Sequence, residues 1–157
     1  MGLTLEGKMA YLNKIQVQAG VTLQQSHYSK PHIWNKEAPA VKKMMRTPNT
    51  YGYFTATYTP IKPLSIALSG TYTGSMLVPH EPVPGFLENP ITVNTKDFFD
   101  IGLKAAYDFK LYKSMNLQVN AGIQNIFNAY QNDFDKGADR DSGYIYGPSL
   151  PRSFFAG

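Results

Sequence analysis

No cysteine occurs among the 157 residues, which excludes a disulfide framework and any thiolate zinc site. Long apolar runs are missing as well. No window reaches the roughly 18 apolar residues that a membrane helix needs, so any association with a bilayer has to use strands. The first residues, Met1 to Gly7, carry neither a basic start nor an apolar stretch of signal-peptide type, so an exported protein is expected to be represented without its true N-terminus. Charge is scarce at 17% of residues, and the formal net charge is only +4. The basic residues are dispersed apart from Lys36, Lys42, Lys43 and Arg46. Nucleic acid requires a contiguous basic face with stacking aromatics, and it is not expected as a partner.

What is present points to strands. Apolar residues make up 43% of the chain and aromatics 13%, with eleven tyrosines and nine phenylalanines, a balance that favours pleated, half-buried surfaces. The length suits one domain spanning 1–157. Between Met115 and Gln124 the positions Met115, Leu117, Val119, Ala121 and Ile123 alternate with Asn116, Gln118, Asn120, Gly122 and Gln124, which puts apolar and polar residues on opposite faces of a strand. The polar face is small and uncharged. Bulk water favours Lys and Glu, whereas Asn, Gln and Gly suit a crowded, hydrated lumen. Ile15 to Gln24, Leu64 to Tyr72 and Phe99 to Phe109 repeat the alternation. Aromatics fall near the ends of the apolar faces at Tyr11, Tyr72, Phe99, Tyr107 and Phe109, as in the girdles at membrane interfaces.

Strands are expected over about 3–12, 15–28, 49–59, 64–74, 97–109, 115–125 and 149–157. Their connections alternate in length. Those at Asn13-Lys14, Pro60 to Pro63 and Lys110 to Ser114 are short, whereas the segments around 29–48, 75–96 and 126–148 exceed ordinary hairpin loops. Pro79, Pro82, Pro84 and Pro90 predict an ordered, non-strand excursion in the second long segment. Strands near ten residues with one set of tight turns and one set of long loops are the pattern of an outer-membrane barrel. A soluble β-sandwich or lipocalin-like binding module also alternates, but its strands average nearer five or six residues.

Particular segments add to this. Met45-Arg46-Thr47-Pro48 leads into Tyr51-Gly52-Tyr53-Phe54, and Leu68-Ser69-Gly70-Thr71-Tyr72-Thr73-Gly74 follows. Asn125-Ile126-Phe127-Asn128 comes next, then Arg140-Asp141 through Tyr144-Ile145-Tyr146-Gly147-Pro148 to Pro151-Arg152. Together they resemble the C-terminal β-barrel region of a TonB-dependent outer-membrane receptor, over nearly the whole chain. The resemblance implies a plugged barrel of about 22 strands in the outer membrane of a Gram-negative bacterium. It also implies import of an iron chelate, cobalamin or another scarce nutrient, driven by a TonB-type energy-coupling protein. The plug, through which that protein acts, and most strands lie outside these residues. Seven strands do not close a bacterial single-chain barrel, whose count is even, and the chain stops at Phe154-Phe155-Ala156-Gly157, before the aromatic end that resembles an assembly signal in this class. The expected fold is therefore all-β, an antiparallel up-and-down meander forming about seven strands of a larger transmembrane barrel. Its expected partners are outer-membrane lipid, the rest of the same receptor and a small-molecule ligand. Neither enzyme activity nor a cofactor is expected.

Chemistry-bearing groups are few. Asp133, Asp135, Asp139 and Asp141 surround Gly137, but an EF-hand counted from Asp133 would need Gly and Glu where Ala138 and Tyr144 stand, so Asp turns are expected instead. His27, His32 and His80 show no ligand spacing on one element. Ser26-His27 and Ser75 complete no hydrolase arrangement. Trp34, His32 and His80 are the candidate ligand contacts, Trp34 with rim covering as the alternative use of its ring. The basic cluster at 36–46 is expected to face anionic lipopolysaccharide. Asn125, Phe127, Asn128, Arg140, Asp141, Tyr144, Tyr146, Gly147, Pro148, Pro151 and Arg152 are expected to be structural. Within that set, Arg140 or Lys136 is expected to pair with nearby carboxylates, and Arg152 with Asp139 or Asp141.

Overall fold

A computed structural model describes residues 1–148 and 150–157. Every regular element among them is a strand, and no helix is long and apolar enough to cross a membrane. The strands are β1 (Gly2–Tyr11), β2 (Ile15–Gln24), β3 (His27–His32), β4 (Val41–Lys43), β5 (Thr50–Ile61), β6 (Leu64–Thr73), β7 (Leu77–His80), β8 (Ile91–Asn94), β9 (Phe98–Tyr112), β10 (Met115–Gln124) and β11 (Ser153–Ala156). Seven of them form one sheet in the order β1-β2-β5-β6-β9-β10-β11, with every pairing antiparallel. The pairs β3-β4 and β7-β8 form two small sheets of their own. Apart from β11, the strands of the large sheet run from 10 to 15 residues. At about 3.3 Å per residue, ten residues extend about 33 Å.

The register aligns the alternation of all seven strands. Leu5 lies opposite Val21, Ala56 opposite Leu68, Leu68 opposite Leu103, Tyr107 opposite Val119 and Ile123 opposite Phe154. One face of the sheet is therefore apolar from edge to edge. No second layer covers it. Leu5 is 70%, Val119 47% and Phe154 77% exposed. The opposite face carries Thr4 and Thr22, whose hydroxyls meet at 2.9 Å, and Gln118, which donates to Asp108 at 2.8 Å. On the apolar face a Cβ at Gly70 would collide with the Phe54 ring, so glycine there lets the ring lie flat on the neighbouring strand. Phe155 covers Gly122 in the same way on the polar face.

The short turns follow from local chemistry. Leu12 (φ 48°) and Asn13 (φ 53°) both adopt the left-handed conformation, and Lys14 N–H donates to Tyr11 C=O at 3.0 Å. This type I′ geometry matches the twist of paired strands. The buried apolar cluster, Met76, Val78 and Tyr144 with Val93 and Tyr146 packed on it, lies in the long segments. The chain's packed core thus sits at one rim of the sheet, built from loops.

Several boundaries differ from the sequence reading; β5 runs to Ile61 and β9 to Tyr112, so the connections expected at Pro60 to Pro63 and Lys110 to Ser114 shrink to two residues each. β2 ends at Gln24, where Gln24 N–H bonds Asn49 C=O and the chain leaves for the β3-β4 hairpin. The second long segment is partly strand, because Leu77–His80 pairs with Ile91–Asn94. Pro79 fits there because an edge position can leave its missing N–H donor unneeded. The final strand is short, Ser153–Ala156, since Arg152 is held by the preceding turn; Ser149, where a strand was expected to start, lies outside the described residues.

Candidate functional site

The three long segments come together at the rim opposite the short turns. The turn after β10 begins the construction. Asn125 (φ 50°) and Asn128 (φ 54°) both take the left-handed conformation, which asparagine tolerates better than other side chains with a Cβ. Asn125 is 3% exposed. Its amide donates to Ala129 C=O at 3.1 Å and to Leu150 C=O at 2.9 Å, while its carbonyl accepts from Ala129 N–H at 2.8 Å. Arg152 N–H donates to Asn128 Oδ1, and Arg152 Nε to Ile126 C=O, both at 2.9 Å. The expected pairing of Arg152 with Asp139 or Asp141 is thus replaced by backbone capping, because the start of β11 lies beside the 125–128 turn. Phe127 turns the other way, its ring 6.3 Å from that of Phe99 on the apolar side.

Beyond this turn, Gln131 works as a clamp. Its Nε2 donates to Tyr144 C=O at 3.0 Å, and its Oε1 accepts from Tyr146 N–H at 2.9 Å. The two tyrosines then converge on Asp133, with the Tyr144 hydroxyl 3.2 Å away and the Tyr146 hydroxyl at 2.5 and 2.6 Å from the two carboxylate oxygens. Gly147 admits the Phe98 ring, which a Cβ would meet at 2.7 Å. Phe98 belongs to the polar-face set of β9, opposite Thr73, so this segment folds over the polar side of the sheet.

The second segment is joined through His80. Its ring stacks on Tyr144 at 3.8 Å, and its Nε2 lies 2.9 Å from Asp135 Oδ2. The same oxygen accepts Asp141 N–H at 3.1 Å. Asp141 makes an Asp turn with Gly143 N–H at 2.7 Å and accepts Glu81 N–H at 2.9 Å. The first segment contributes Arg46, whose guanidinium donates to Ile145 C=O at 2.9 Å and to Gly143 C=O, and Asn35, which donates to Glu81 at 2.8 Å. Among the described residues His80–Asp135 is the single basic–acidic side-chain pair within salt-bridge distance. Arg140 donates to Gly137 C=O at 2.9 Å, and Lys136 lies over the Phe134 ring, so the expected carboxylate pairings of these two do not form.

Burial acts against the charge of Asp133, but hydrogen bonds from Tyr146, Tyr144 and Gln131 outweigh it and hold the carboxyl below its ordinary 3.8. Burial, followed by the Asp133 charge, pushes the Tyr144 phenol above 10.0; for Tyr146 burial and the hydrogen bond to Asp133 do the same. The sign follows at each end of the scale. The depressed carboxyl stabilises the loops above pH 3.8 and loses that effect as pH falls through its lower folded value. The raised phenols stabilise them below pH 10.0 and lose the effect as pH rises through theirs. In a spectrophotometric titration Tyr144 and Tyr146 are expected to contribute a late-ionising fraction, and Tyr146→Phe should reduce it. Ionisation of all tyrosines in a single step would contradict the array.

A cavity of about 340 Å³ opens beside this array, lined by Tyr130, Phe134, Arg140, Tyr144, Ile145 and Pro148 among others, with Pro151 also on its wall. Its lining is mostly apolar, with a guanidinium and the carboxylates of Asp135 and Asp141 at the margin. No group of three or more His, Cys, Asp or Glu among the described residues is placed to hold a metal ion.

The candidate ligand contacts do not converge. His80 is buried within the loop array. His32 is exposed at the end of β3, stacked on Tyr28 at 4.6 Å. Trp34 stands between β3 and β4 beside an open hollow of about 530 Å³, with its indole Nε1 enclosed and without a hydrogen-bond partner among the described residues. Sequence reading missed Gln131 and Phe98, which carry no local pattern, and it put Arg46 in the basic cluster expected to face lipopolysaccharide, whereas its guanidinium donates to the Ile145 and Gly143 carbonyls. It placed Asp133 and Asp135 in a polar loop of Asp turns, without their partners Tyr144, Tyr146 and His80. Comparison with protein-family models, with curated proteins and with solved structures finds no match.

Proposed function

We propose that the chain is the C-terminal wall of a TonB-dependent outer-membrane receptor, with the apolar face toward lipid and the polar face toward the lumen. In this reading the loop array belongs to the outer mouth through which a scarce nutrient is captured. The observation that carries it is the apolar face itself, continuous over seven strands and covered by no second layer. A soluble protein rarely leaves so large a patch uncovered, and the two small sheets hold only two strands each. Aromatics fringe the face at both ends. Tyr11, Tyr58, Tyr107 and Phe109 lie near the short turns, and Tyr72, Phe99 and Phe127 near the long segments, which is the distribution favoured at two membrane interfaces. The long segments all emerge at one end, and the plug and remaining strands would complete the barrel.

Purified without detergent, the chain is expected to aggregate through this face and through the unpaired edges of β1 and β11. In detergent micelles or vesicles it should recover strand structure. A monodisperse, detergent-free monomer with a cooperative melt would sink the membrane assignment and favour the soluble binding module.

A further inference from the structure

The two rims of the sheet differ in charge. The long segments 25–49, 74–97 and 125–152 hold nine of the fifteen basic residues and eight of the eleven acidic ones, so their charges nearly cancel. Every short turn instead carries a lysine and no acid. These are Lys14 between β1 and β2, Lys62 between β5 and β6, and Lys113 between β9 and β10, and Lys110 adds a fourth at the end of β9. All four are exposed, and none forms an ion pair among the described residues. Lys62 and Lys110 line an open groove of about 650 Å³ together with Tyr107 and Phe109, whose rings lie 4.6 Å apart on the apolar face. The groove's carboxylate, Asp108, accepts a hydrogen bond from Gln118.

Ammonium groups directly beyond an aromatic fringe stand where lipid phosphates lie when the fringe sits at an interface. On the reading of the chain as a barrel wall, the geometry points to the short-turn rim as a docking surface for anionic phospholipid headgroups, gathered by Lys14, Lys62 and Lys113. The lipid tail lies along Tyr107 and Phe109 while its phosphate meets Lys62. Anionic lipid is the occupant because each short turn carries a lysine and no acid, these lysines stand in turns beside the lipid-facing strands, and zwitterionic lipid offers no net charge for them to gather. An attraction near 1 kcal/mol per lysine, about fivefold in local concentration, is the scale expected at an anionic surface.

The absence of cysteine allows a site-specific test on the full chain reconstituted in vesicles. Ser114→Cys places a fluorophore in a short turn, and Glu88→Cys places one in a long segment. The vesicles have identical phosphatidylglycerol and phosphatidylcholine content, with bromine on one lipid or the other as quencher. At position 114 brominated phosphatidylglycerol should quench about fivefold more, mole for mole, than brominated phosphatidylcholine. The excess should vanish in the combined Lys14→Gln, Lys62→Gln, Lys113→Gln variant and fall at high salt. Equal quenching by the two lipids at position 114, or an excess that survives the triple variant, overturns lipid selection and leaves the lysines to an acidic protein. An equal phosphatidylglycerol excess at position 88 overturns the assignment to this rim. Absence of quenching by either lipid at both positions overturns the barrel-wall reading along with it.

Discussion

Val119→Arg is expected to destabilise the membrane-inserted sheet by about 2 to 4 kcal/mol, enough to block assembly, whereas Gln118→Arg should be far milder. Val119 lies near the middle of β10, opposite Tyr107 on the apolar face. An arginine there has no carboxylate within the face and no water. Gln118 points to the other side of the pleat, where it already donates to Asp108 at 2.8 Å, and an arginine in its place would meet that carboxylate on the face proposed to line the lumen. The two positions are neighbours in sequence and differ only in face. The fraction of chain that gains heat-resistant mobility on gels after folding into vesicles separates them. Equal losses for both variants would mean that lipid and lumen have been assigned to the wrong sides.

Asn125→Ala is expected to release the long segment 126–152 from the rim, costing about 4 to 5 kcal/mol. Alanine is strained at φ 50°, a penalty of roughly 1 to 2 kcal/mol. It also abandons the partners that the buried amide satisfies, Ala129 C=O, Leu150 C=O and Ala129 N–H, and each such loss typically costs about 1 kcal/mol. Asn128→Ala removes one acceptor, for Arg152 N–H, and should cost less. Cleavage within 126–152 by limited proteolysis in micelles should accelerate roughly a thousandfold for Asn125→Ala, which is what about 4 kcal/mol corresponds to. The strands should remain protected. Unchanged cleavage of the loop, or unfolding of β9 and β10 together with it, would show that Asn125 does not govern this segment alone.

The sheet was legible in the sequence because its information is local. Period-two alternation in Ile15 to Gln24 or Met115 to Gln124 states which residues share a face, and Asn13-Lys14 or Pro60 to Pro63 punctuates the strands to within a few residues. The rim was not legible. Arg46 and Ile145 lie 99 residues apart, His80 and Asp135 lie 55 apart, and no periodicity links them. Sequence alone named Tyr144, Tyr146 and Arg152 as structural, yet it gave Arg152 a carboxylate partner. The fold supplies Ile126 C=O because β11 starts against the 125–128 turn. The apolar and polar faces, and the alternation of short and long connections, were thus determined by the order of residues. Which long segments meet, and on which side of the sheet, was decided only when seven strands came into register and placed Phe98, Gln131, Asp133 and His80 within reach of one another. Backbone pairing propagates from neighbour to neighbour, whereas a loop contact depends on where the whole sheet delivers its two ends.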